Sequence, residues 1–320
     1  MRDFVLSPVA AGGQAEPGSM LIAGGTDLLQ LMKNNIVSPS SLIDLEGLDL
    51  RAISVTEQHL HLGALATMAE VAAHRAVVTG WPAIASALLQ AASPQIRNMG
   101  TVGGNLLQRT RCNYFRDTGF SCNKREPGSG CPAIAGDNRE LAIFGGTPRC
   151  IAAHPSDLPV ALMALDAEVG LKAPDGTMRI LPIADFYRLP GDTPHIETEL
   201  KSGKLIESVT LPATALARKS AYVKVRDRTS FSFALVSAAV ALDIADDRIR
   251  DVRIVLGGVA SMPWRLPHAE AALRGKQPGE ALFKEAASHA ADGATPASKN
   301  GFKAELARRT VLHALQTLTA

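Results

Sequence analysis

The chain has 320 residues, room for two domains or for one domain with a large appendage, and its 46% apolar and 20% charged residues fit a soluble protein with modest surface charge. Its 33 basic and 31 acidic residues leave a formal net charge of +2 without a long basic run, so charge gives no support for nucleic-acid or anionic-membrane binding. No apolar stretch of about 18 residues is free of breakers, so no membrane insertion is expected; residues 1–8 lack the apolar run and small-residue cleavage site of a secretory signal.

In chain order, residues 20–23 read as a short buried strand that runs into Gly24-Gly25-Thr26-Asp27. Leu28, Leu29 and Met32 then take up helical spacing, with Thr26 or Asp27 as the N-cap. Residues 41–45 form a second strand, with Asp44 and Glu46 near its end, and residues 59–62 a third. Helical period marks residues 68–73 and 81–92, the latter presenting Ile84, Leu88 and Ala91 on one face. Pro94 interrupts that pattern, and Gly100, Gly103 and Gly104 make residues 100–105 a second turn rich in accessible backbone.

Between Leu106 and Arg149 hydrophobic periodicity nearly vanishes, and a structureless loop of this length inside a compact domain needs a reason. Order returns with a helix over residues 158–165, then alternating Ala167, Val169 and Leu171 before a Pro174-Asp175-Gly176 hairpin turn. A loop at residues 191–194 precedes a strand at 205–211. Strands at 221–225, 234–244 and 252–259, followed by helices at 269–273, 280–291 and 302–318, predict a second α+β domain beginning near Leu211.

All four cysteines fall between residues 112 and 150, separated by nine, eight and eighteen residues as Cys112, Cys122, Cys131 and Cys150. Four thiolates are what an iron–sulfur cluster needs, and such a cluster would organise a loop with no hydrophobic core of its own. Seven basic residues against four acidic ones between Arg109 and Arg149 suit an anionic cluster, and Tyr114, Phe115 and Phe120 can screen it from water. Zinc, two disulfides and unrelated buried thiols stay open on spacing alone, although there is no Cys-x2-Cys knuckle and no export signal to favour zinc or disulfides.

Gly24-Gly25-Thr26-Asp27 can bring consecutive backbone N–H groups against a phosphate at the start of the following helix. It matches neither a Rossmann fingerprint nor an ATPase loop. A second turn at residues 100–105 could clasp the other side of a dinucleotide pyrophosphate, with Thr101 and Asn105 supplying hydrogen bonds; an ordinary tight turn is the competing explanation.

Ala23-Gly24-Gly25-Thr26-Asp27-Leu28-Leu29, Ile96-Arg97-Asn98, Gly100-Thr101-Val102-Gly103-Gly104-Asn105-Leu106, Lys224-Val225-Arg226-Asp227-Arg228 and Val255-Leu256-Gly257-Gly258-Val259-Ala260 together form a specific pattern. It resembles the flavin-binding medium subunits of the xanthine dehydrogenase/molybdenum hydroxylase family. With residues 112–150 and His154-Pro155-Ser156-Asp157 included, it is most similar to the members that serve as flavin and iron–sulfur subunits of bacterial periplasmic aldehyde oxidoreductases.

That resemblance implies an α+β chain: a vanillyl-alcohol-oxidase-type (PCMH-like) FAD-binding domain over residues 1–210, then a C-terminal domain with an antiparallel sheet and helices over 211–320. The first divides into two α/β subdomains, 1–55 and 56–210. The 50 residues between Asn105 and Ser156 then contain an insertion at 106–150 that binds [4Fe–4S] on Cys112, Cys122, Cys131 and Cys150 in the clustered members. Carried over, Ala23, Gly24, Gly25, Thr26 and Asp27 with Thr101, Gly103, Gly104 and Asn105 should hold the FAD pyrophosphate. Leu28, Asp44 and Asp157 should reach other parts of the cofactor, Leu158 should pack near the isoalloxazine, and Lys224 should approach from the C-terminal domain. Ordinary roles compete for these five: core leucine, cap or turn aspartate, solvated lysine.

The family implies a heterotrimer in which a large molybdenum-cofactor subunit oxidises the substrate and a small subunit relays electrons through [2Fe–2S] clusters. FAD on this chain would pass them to an external acceptor, with no catalytic acid, base or nucleophile of its own. A noncatalytic scaffold with a zinc-stapled loop is the alternative. Localisation stays open between cytoplasm and periplasm, since related complexes cross the membrane folded on a partner's signal.

Overall fold

The computed structural model describes residues 3–9 and 18–319; of the segment read for an export signal, Met1 and Arg2 lie outside the described residues. Among the described residues three sheets follow one another along the chain. The first is parallel: β1 (Val5–Pro8) and β2 (Ser19–Ile22) flank β3 (Ser41–Asp44), so β2 delivers the first glycine turn at its C-terminal end.

The second sheet has five antiparallel strands: β4 (Ile53–Val55), β5 (His59–Gly63), β6 (Glu168–Lys172), β7 (Met178–Pro182) and β8 (Leu205–Pro212), in the order β4-β5-β8-β6-β7. Residues 53–55, grouped with the first subdomain on sequence, thus pair into the second sheet. The β6–β7 hairpin turns at Gly176, whose φ of +85° suits a residue without Cβ. Helices Met68–Ala73, Pro82–Gln90 and Leu158–Ala164 cover this sheet with Val71, Ile84, Leu88 and Leu162 buried in one core.

The third sheet is antiparallel: β9 (Ser220–Val225), β10 (Val236–Ala245), β11 (Arg248–Gly257) and the short β12 (Trp264–Arg265). Successive strand residues point to opposite faces, and β10 shows where each face goes. Val236, Ala238, Val240 and Leu242 join the core under the C-terminal helices, whereas Ala239 and Ala241 join the core of the five-stranded domain. Small side chains let helix Leu158–Ala164 lie close: a Cβ on Gly257 would fall 2.5 Å from Val160 Cγ2.

Pro94 does not end order as the sequence pattern suggests. It opens a new helix, Pro94–Met99, where its missing N–H costs nothing, and Ser93 Oγ caps it by accepting from Ile96 N at 3.2 Å. Of residues 100–105, expected as turn, 102–105 belong to the helix Val102–Leu106, capped by Thr101 Oγ1 accepting from Gly104 N at 3.2 Å.

The insertion is irregular apart from the helix Asn113–Arg116 and one 3-10 turn, Pro132–Ile134. It does have a small core, contrary to expectation: Phe115, Ala133, Leu141 and Ala152 pack with Cys112, Cys150 and Leu31. The buried ammonium of Lys303, on the C-terminal helix Phe302–Thr319, closes its far end by donating to Glu140 O, Leu141 O and Gly258 O at 2.8, 3.0 and 2.8 Å. Among the described residues no helix is long and apolar enough to cross a membrane.

Candidate functional site

A cavity of about 470 Å³, a usual size for a cofactor site, lies where the two glycine segments, the insertion and β9 meet. Ala23, Gly24, Gly25, Thr26, Asp27 and Leu28 line one side, Thr101, Gly104 and Asn105 another, and Asp157 and Lys224 the end. Two segments some 75 residues apart in sequence are held together because Gly24 lets β2 pass under helix Pro94–Met99. A Cβ there would fall 1.7 Å from Met99 O.

Three residues expected at the cofactor lie off the cavity wall. Gly103 packs on Ala64, where its Cβ would meet Ala64 Cβ at 3.0 Å, and its N–H donates to Ala64 O at 2.8 Å. Asp44 folds back on its own chain, Oδ1 accepting from Glu46 N at 2.9 Å. Leu158 is fully buried in the core beneath, as a leucine in the first turn of a covering helix is expected to be.

Asp157 and Lys224 do line the cavity, but they face each other: Lys224 Nζ donates to Asp157 Oδ2 at 2.7 Å and to Gln90 O at 3.1 Å. Tyr222 Oη donates to Asp157 Oδ1 at 2.5 Å. Burial pushes the Asp157 carboxyl up, against the pull of Lys224 and the Tyr222 hydroxyl, and pushes the Tyr222 phenol well above its ordinary value.

Asp27 is also committed. Its carboxylate accepts from Arg109 N at 2.9 Å and Arg116 Nη2 at 3.0 Å, and pairs with Arg111 Nη2 at 2.8 Å, all three from the insertion. Asn105 Oδ1 accepts a short hydrogen bond from Ser156 Oγ.

The wall also contains Arg109, Arg111, Phe231 and Phe233, which sequence reasoning did not assign to the cofactor. By sequence position Arg109 and Arg111 count among the cations near the cysteines, and only proximity in space turns them to the other cavity. Most of the insertion's remaining basic groups are likewise engaged: Arg125 donates to Phe115 O at 2.7 Å, and Arg139 pairs bidentately with Asp227 at 2.8 Å. Lys124 and Arg149 are the cations beside the thiols.

All four cysteines are free thiols and line one small cavity of about 10 Å³, with Tyr114, Phe115, Lys124 and Arg149 around it. Phe120, expected to screen it, is 44% exposed and stacks edge-on against Tyr114 instead. Burial pushes the Cys112 thiol up to about 11 against the N–H groups of Phe115 and Tyr114. Burial also raises Cys131 against the N–H groups of Ile151, Ala133 and Ile134, and Cys150 against Lys124 and the N–H of Ala152. Among the described residues no three His, Cys, Asp or Glu side chains converge tightly enough to chelate a metal ion.

His154 is half-buried and packs edge-on against Tyr187. Burial holds its imidazole down at about 4, with Nδ1 accepting from Ser156 N at 3.3 Å.

A family described as the FAD binding domain in molybdopterin dehydrogenase matches residues 6–214, and the CO dehydrogenase flavoprotein C-terminal domain matches 220–318. The aldehyde oxidoreductase FAD-binding subunit PaoB of Escherichia coli (strain K12) is 47% identical over 309 residues, 96% of this chain and 93% of that one. The glyceraldehyde dehydrogenase medium chain of Sulfolobus acidocaldarius is 26% identical over 87% of this chain and 81% of its own. The fold matches the carbon monoxide dehydrogenase chain from Hydrogenophaga pseudoflava with a TM-score of 0.76 at 25% identity, over 99% of this chain and 98% of that one. Quinoline 2-oxidoreductase from Pseudomonas putida 86 gives a TM-score of 0.76 at 23% identity, over 99% and 97%. With a flavoprotein fold over both halves and a near full-length relative, the chain belongs to the FAD-binding medium subunits of the molybdopterin dehydrogenase family.

Proposed function

We propose that this chain is the flavin subunit of a heterotrimeric molybdenum-dependent aldehyde oxidoreductase. It receives electrons from the [2Fe–2S] clusters of a small partner subunit and passes them through FAD to an external acceptor. The large partner, with the molybdenum cofactor, oxidises the aldehyde. The observation that carries this reading is the cavity between two glycine segments, in a chain that aligns over 96% of its length with an aldehyde oxidoreductase flavin subunit.

When bound, FAD supplies two-electron acceptance and one-electron release. The protein supplies position: close backbone approach at Gly24, Gly25 and Gly104, with the Thr101 hydroxyl spent on capping and so fixing the second segment. Asp157 and Lys224 hold each other at the end of the cavity and carry no proton for the reaction. No side chain of this chain has to act as acid, base or nucleophile.

Cys112, Cys122, Cys131 and Cys150 are assigned to a [4Fe–4S] cluster. The thiols are free of disulfides and share one cavity that also has Lys124 and Arg149 on its wall, cations that suit an anionic cluster. A colourless, zinc-stapled scaffold would also leave the glycine-walled cavity without a purpose.

The test is anaerobic mixing of the assembled complex with an aldehyde. Visible flavin absorption should bleach, and should not bleach when this chain is mixed alone. A complex that keeps its full rate with its natural acceptor after FAD is removed would sink the reading.

A further inference from the structure

Arg111 precedes Cys112 in the chain, yet its guanidinium belongs to the other cavity. It lines the flavin cavity, with Nη2 2.8 Å from Asp27 Oδ1 and the Phe233 ring centroid 4.8 Å from its Cζ. Its Nε is buried and has no hydrogen-bond partner among the described residues. A buried donor on a charged group is costly to leave unmade, so it is expected where a ligand completes it. The two carboxylates on the same wall are already neutralised, Asp27 by Arg111 and Arg116, and Asp157 by Lys224. Arg109 on the same wall is taken up by Glu197, which leaves Arg111 as a wall cation with a donor to spare, and a guanidinium beside glycine backbone suits a phosphate.

We propose that Arg111 contacts the phosphate-bearing part of the flavin directly and is aimed there by Asp27. This rests on the flavin reading above and adds a member to the site from a segment otherwise assigned to the cysteines. Asp27 is then a positioning residue: three donors from the insertion fill its carboxylate.

FAD and riboflavin titrations of the deflavinated protein test this. Arg111→Gln should raise the Kd for FAD roughly tenfold or more, while riboflavin, which has no phosphate, binds as it does to the wild type. Asp27→Asn leaves the arginine in place but unaimed and should raise the FAD Kd by a smaller factor. Should Arg111→Gln fold poorly, Arg111→Lys keeps the charge but loses the fork, and should still weaken FAD severalfold with riboflavin unchanged. An unchanged FAD Kd, or equal weakening of FAD and riboflavin, overturns the assignment. A wild-type chain that binds no FAD overturns the flavin reading itself.

Discussion

Lys224 and Asp157 form an ion pair across the junction of the two main cores, Nζ 2.7 Å from Oδ2, with side chains 1% and 4% exposed. One partner comes from β9 and the other from the residue before helix Leu158–Ala164, so the pair ties the C-terminal sheet to the five-stranded domain beside the cavity. Its contribution is one of registry, since two buried charges gain little over a well-packed apolar pair.

Lys224→Met should therefore destabilise the protein by about 3 to 5 kcal/mol, because it leaves the carboxylate buried without its counter-ion. Asp157→Asn combined with Lys224→Met should recover a large part of that loss. Denaturant unfolding of the two single variants and the double variant gives the coupling. Additive losses would mean that the pair is not an energetic unit.

Acid should weaken the fold through His154. Its folded-state value, about 4, lies below the ordinary 6.5, so the unfolded chain takes up the proton first. The stability present above pH 6.5 is lost as pH falls toward 4, by about 3 kcal/mol for this group. Unfolding free energies at pH 7.5 and 4.5 should differ less in His154→Gln than in the wild type. An identical difference would show that the imidazole is not buried as described.

Gly24→Ala should disrupt the first glycine segment, because its Cβ would overlap Met99 O and force helix Pro94–Met99 away. A loss of roughly 1 to 3 kcal/mol or more is expected, along with lost flavin. Gly47→Ala, where nothing lies within 4 Å of the added carbon, should stay within about 0.5 kcal/mol. Melting temperature and flavin content of the two variants provide the comparison.

Much of this was legible in the residues. The hairpin at Gly176 and the long C-terminal strands and helices follow from alternation, period and turn chemistry. The short helix Val102–Leu106 was not, because two glycines within five residues argue against helix until the Thr101 cap and the contact with Ala64 are known. Wall residues on the glycine segments were readable as motif, whereas Leu158 and Gly103 share the motif but point into packing. Arg111 was invisible as a wall residue, since its role depends on Asp27, 84 positions earlier in the chain.

The most direct measurement is FAD, iron and zinc per chain in one anaerobically purified sample. The account predicts about one FAD and roughly four irons with negligible zinc, and loss of the iron in Cys122→Ser. One zinc per chain, no flavin, or a full complement of iron in Cys122→Ser would contradict it.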